Sequence, residues 1–75
     1  MLAIGYFVDM NYESEKLYYN LGNALFELDN FIDAKINYEK SIALNPSNYE
    51  AYFNLGNTLK KVNDLDGAIN YYKLP

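Results

Sequence analysis

The chemistry this chain can offer resides mainly in four asparagines, Asn20, Asn23, Asn54 and Asn57. Within each pair they stand three residues apart, so each pair shares one face of a helix. The second pair follows the first at a step of 34 residues. A carboxamide carries two N–H donors and a carbonyl acceptor and does not titrate, so such a set suits hydrogen bonding to a polypeptide backbone rather than bond breaking. Asparagine is abundant elsewhere in the chain, but recurrence in phase at two positions favours a ladder of backbone contacts. Tyr19 and Phe53 keep the same step and would accept apolar side chains between those contacts.

Catalysis has little support. The sequence holds no His and no Cys, and the hydroxyls of Ser14, Ser41, Ser47 and Thr58 have no neighbouring base to activate them. Asp64-Leu65-Asp66-Gly67 is a poor calcium loop, because aligning Gly67 with the loop glycine puts Val62 and Lys73 at the end ligands. We therefore expect no enzyme, no cofactor and no metal.

The elements that must hold these residues are helices. Leu17, Leu21, Leu25 and Leu28 recur at steps of four, four and three, which predicts a helix over 15–28 with Ser14 as its N-cap. Asn30 caps a second helix over 31–44, with Phe31, Ala34, Tyr38, Ser41 and Ile42 on its apolar side. Asn45-Pro46-Ser47-Asn48 stops and restarts the chain, with Ser47 and Glu50 forming a capping box for a third helix over 49–62. Asp64 caps a fourth over 65–74. The apolar stretch in residues 1–12 reads either as a helix of a preceding repeat or as a flap.

The step of 34 extends well beyond the asparagines. Leu55-Gly56-Asn57 repeats Leu21-Gly22-Asn23, Tyr52 follows Tyr18, Leu59 follows Leu25, Ala68 follows Ala34 and Tyr72 follows Tyr38. Such a period marks a solenoid, an all-α superhelix of antiparallel helix-turn-helix units. The expected organisation is a partial helix or flap over 1–14, one repeat over 15–48 and a second, truncated repeat over 49–75.

Composition narrows the partners. A net charge of −4 with six Lys and no Arg argues against nucleic acid, which calls for a basic stripe. No apolar run approaches the roughly 20 residues of a membrane helix. The apolar start has neither a basic region before it nor a cleavage site, so no signal peptide is expected. These features predict a cytoplasmic protein that binds other proteins.

The landmarks Tyr18, Leu21, Gly22, Leu25, Ala34, Tyr38 and Pro46, with their second copy, resemble the tetratricopeptide repeat family. In that family the first helix of each repeat lines a concave surface, so the resemblance implies that the four asparagines face a peptide groove. They are similar to the asparagine ladder of the O-linked N-acetylglucosamine transferase superhelix, which adds a substrate-docking arm of a glycosyltransferase as an alternative. The carboxylate clamp of chaperone cofactors is not matched, since Tyr19 and Phe53 stand where its Lys belongs. Two repeats also leave Ile69, Tyr71, Tyr72 and Leu74 as an apolar end face, from which we expect self-association, most simply as a dimer.

Overall fold

The computed structural model describes residues 2–72, with side chains from Ser14 onward. Four helices follow one another: α1 (Leu2–Glu27), α2 (Phe31–Leu44), α3 (Tyr49–Lys61) and α4 (Leu65–Tyr72). They form two helix-turn-helix pairs, α1 with α2 and α3 with α4, and α2 also packs against α3. The architecture is the all-α repeat array that the 34-residue period predicts.

Ala34, Tyr38, Leu55, Leu59 and Ala68 make the core, and Tyr19, Leu25, Phe26, Ile42, Val62 and Tyr71 pack around it. The two small alanines let neighbouring helices approach, while Tyr38 fills the junction between α1, α2 and α3. Each pair turns at the same kind of corner. Asp29 and Asn63, 34 residues apart, adopt positive φ values of 60° and 71°, a region that Asp and Asn enter more readily than most residues. The next residues close the corner by donating backwards, Asn30 N–H to the Leu25 carbonyl at 2.9 Å and Asp64 N–H to the Leu59 carbonyl at 2.8 Å.

Helix starts differ from expectation in three places, the first being Asn30, which stands at the N-cap of α2 but makes no side-chain capping bond. α3 is capped by Asn48, whose Oδ1 accepts from the Ala51 N–H at 3.1 Å, and not by a Ser47–Glu50 box. The amide of Asn48 is also tied to α1, which fixes Asn48 as the cap. At the N-terminal side the break expected at Ser14 is absent, because α1 runs unbroken from Leu2. The reason lies one repeat earlier than Pro46: Tyr12 occupies the equivalent position, and without a proline nothing there forces the chain out of the helix. Residues 2–14, expected to be a separate helix or flap, thus form the first half of α1. α4 is described as far as Tyr72, and Asp64 caps it by accepting from the Gly67 N–H at 3.0 Å.

A buried carboxylate joins three elements. Glu15 is 3 % exposed and accepts from Ser41 Oγ of α2 at 3.1 Å and from Asn48 Nδ2 before α3 at 2.8 Å. Burial of a charged group is tolerable when hydrogen bonds replace its water. Glu15 therefore links α1 to the corner between α2 and α3.

Candidate binding groove

The glycines of the two Leu-Gly-Asn motifs seat tyrosine rings. A Cβ on Gly22 would lie 2.7 Å from Cδ1 and Cε1 of Tyr38, and one on Gly56 would lie 2.6 Å from Cε1 of Tyr72. Each ring then reaches over its glycine to the asparagine that follows. The Tyr38 hydroxyl donates to Asn23 Oδ1 at 2.5 Å and the Tyr72 hydroxyl to Asn57 Oδ1 at 2.5 Å. The motif and its tyrosine, fifteen residues on, work as one unit repeated at the 34-residue step.

A second set of bonds runs between the repeats. Asn54 Nδ2 donates to Asn23 Oδ1 at 3.1 Å and to the Tyr19 hydroxyl oxygen at 3.1 Å. The Tyr19 hydroxyl in turn points to Glu50 Oε2 at 3.5 Å. Three of the four asparagines thus meet around one open hollow of about 170 Å³, lined by Asn23, Phe26, Glu27, Tyr38, Asn54 and Asn57. Asn20 is exposed and lies outside that lining. Neither Tyr19 nor Phe53 is in the lining: Tyr19 packs against Tyr38, ring centroids 6.1 Å apart, and Phe53, 59 % exposed, tilts against Tyr72.

The bonding decides what the hollow presents. Both bonds to Asn23 fall on its carbonyl and both from Asn54 fall on its amide nitrogen, while the bond to Asn57 falls on its carbonyl. These bonds leave over the N–H₂ of Asn23 and Asn57 and the carbonyl of Asn54. Sequence reasoning found the asparagines and placed Glu27 on the same face as one half of an ion pair, but it missed Phe26 and the lining role of Tyr38. A signal existed for Tyr38, since its spacing from Asn23 equals that of Tyr72 from Asn57.

Glu27 supplies the hollow's formal charge. Reciprocal ion pairs of Lys16 with Glu50 and of Glu27 with Lys61 are the expectation from the repeat register. Lys61 instead lies over the Phe31 ring, 5.9 Å from its centre. Burial pushes the Tyr38 phenol up to about 12, with the Tyr19 phenol and Glu27 adding to the shift and the nearby Asn54 amide opposing it. Tyr71 is also raised, chiefly by burial and then by Glu39 and Tyr52. Among the described residues, no group of three acidic side chains gathers as a metal site, and no helix is long and apolar enough to cross a membrane.

The expected end face is only partly free. Ile69 is 49 % exposed and Tyr72 39 %. Tyr71 turns inward, stacking on Tyr52 at 6.1 Å and packing on the core. Its position on α4, one residue before Tyr72, rotates it away from the outer face. Leu74 lies outside the described residues.

Tetratricopeptide repeat models match residues 15–48 and 37–70, which together span most of the chain. The chain belongs to the tetratricopeptide repeat family. Among curated proteins none matches it significantly. Tetratricopeptide repeats are typically non-catalytic and mediate protein–protein interaction, which agrees with a site built from amides, phenols and one carboxylate.

Proposed function

We propose that this chain is a non-catalytic module that receives an extended peptide segment of a partner protein over the hollow between α1 and α3. The observation that carries this reading is the convergence of Asn23, Asn54 and Asn57, with two N–H₂ groups and one carbonyl left over by the internal bonds. A peptide backbone offers the matching carbonyls and N–H groups, and an extended strand presents them at regular intervals. Asn20 and Phe53 are exposed outside the lining, and in this reading they extend the contact surface along α1 and α3.

The test is panning of a randomised peptide display library against the folded chain, followed by anisotropy titration of the enriched peptides. Asn57→Ala is the informative variant, because its single internal bond joins an exposed tyrosine. Loss of one hydrogen bond worth ~0.5–1.5 kcal/mol weakens binding by roughly two- to tenfold, with helicity unchanged. Failure to enrich any peptide, or unchanged affinity in Asn57→Ala and Asn23→Ala alike, overturns the reading.

A further inference from the structure

Among the described helices, α1 and α4 expose complementary halves of an interface that the molecule already contains. In its interior, α3 buries Ala51, Leu55 and Thr58, each 0 % exposed, and Leu55 shares a core with Ala34 and Tyr38 of α2. One repeat earlier the same positions are Leu17, Leu21 and Ala24, and Leu28 continues the line at the position of Val62. On α1 this face is open: Leu17 is 64 % exposed, Leu21 42 % and Leu28 76 %. In turn, α4 is the counterpart of α2. Tyr38 is closed off at 1 % exposure, whereas Tyr72 is 39 % exposed, and Leu65 and Ile69 line up with it at helical spacing, 54 % and 49 % exposed.

Among the described residues, none before Leu17 folds back to cover this face of α1. Residues 45–48 fold α2 back on α3, and their counterparts, 11–14, are helical and continuous with α1. A straight helix does not turn back on its own face. We propose that a second copy of this chain supplies the cover, with its α4 laid along Leu17, Leu21, Ala24 and Leu28 as α2 lies along α3. The same register brings Asn20 Nδ2 of one copy to Asn57 Oδ1 of the other, repeating the internal bond from Asn54 to Asn23 and continuing the asparagine line across the junction. The junction is weaker than its internal model. Phe53 has no hydroxyl with which to repeat the bond from Asn54 to Tyr19, and Tyr49 stands where Glu15 anchors the interior.

Because the two surfaces differ, the contact is heterologous and does not close at two copies. Sedimentation equilibrium over a wide concentration range tests this directly. The average mass rises past two copies without a ceiling. Leu21→Glu removes one surface and Ile69→Glu the other, so each variant alone stays monomeric and helical. Mixed one to one, they form a dimer, because the intact α4 of the first meets the intact α1 of the second. If Leu21→Glu loses helicity, Leu17→Glu at the more exposed position takes its place. A wild-type chain that stays monomeric at high micromolar concentration, or a variant pair that stays monomeric on mixing, overturns the proposal. So does either variant associating by itself. These outcomes are read from mass alone and leave peptide binding in the groove a separate question.

Discussion

The two repeats share a frame and differ in what closes them. In the first, Tyr38 is buried between α1, α2 and α3, Tyr19 lies beneath Asn54, and Glu15 joins three elements. In the second, the equivalent Tyr72 keeps its bond to Asn57 yet is 39 % exposed, Phe53 is exposed, and Tyr49 is 55 % exposed in a stack with Tyr52. The same residue at the same position of the two repeats, Tyr38 and Tyr72, thus has unequal burial. A repeat's local geometry is its own, whereas its interior is completed by its neighbour, as expected where stability is a sum of repeat and interface contributions.

The comparison is broken most forcefully at Glu15. Glu15→Ala leaves Ser41 and Asn48 without their shared acceptor and unseats the Asn48 cap of α3. Two hydrogen bonds to a charged acceptor set the cost at about 2–3 kcal/mol in chemical denaturation. Tyr49→Ala, at the equivalent exposed position, costs under ~1 kcal/mol. Equal losses in the two variants would show that the polar link contributes nothing special to the first repeat.

Next come the glycines. A methyl at Gly22 collides with a ring that is 1 % exposed and held by Asn23, so the ring has nowhere to move. Overpacking of ~1–3 kcal/mol outweighs the ~1 kcal/mol that Ala gains over Gly in a helix. Gly56→Ala meets a ring with solvent on one side, which swings away, so its thermal midpoint stays within a few degrees of the parent. If both variants melt alike, Tyr72 is as confined as Tyr38.

The helices, their corners and the paired asparagines were legible because period and caps are local signals: Asn30 and Asp64 start helices where the pattern ends, and Pro46 marks the turn. Less legible were features set by contacts distant in sequence. Glu15 looks like any surface carboxylate until Ser41 and Asn48 are brought to it. The direction of each amide was likewise hidden, since only the reach of Tyr38 and Tyr72 shows which carbonyls are taken. The continuity of α1 through Ser14 could have been read from the missing proline at Tyr12, but a capping serine there outweighed it.

A pH titration sharpens the contrast through Tyr38. An unfolded tyrosine ionises near 10, whereas Tyr38 in the fold holds its proton to about 12. Between those values the unfolded chain binds fewer protons than the folded one, so stability falls as pH rises from 10 and levels off above 12. Tyr71, raised in the same direction, adds to the fall. Tyr38→Phe flattens the slope, and denaturant midpoints measured across that range read it out. A slope unchanged in Tyr38→Phe would assign the effect elsewhere.

The smallest effect is expected from exchanging the residues that differ beside the asparagines. Tyr19→Phe makes the first repeat resemble the second. It removes the oxygen that accepts from Asn54 and the hydroxyl that points to Glu50, but the ring keeps its place against Tyr38. The contact with Glu50 is long and exposed, so most of the loss is the single bond from Asn54, ~0.5–1 kcal/mol. Asn54 still donates to Asn23, which limits the loss further. Phe53→Tyr adds a hydroxyl at an exposed site that no counterpart of Asn54 reaches among the described residues, so the monomer's stability stays unchanged. In an end-to-end stack that hydroxyl meets Asn20 of the next copy, and association tightens by a few-fold. Denaturation and sedimentation of the two variants separate these effects. If Phe53→Tyr stabilises the isolated chain instead, its partner lies within the same repeat and the inter-repeat role of this position is wrong.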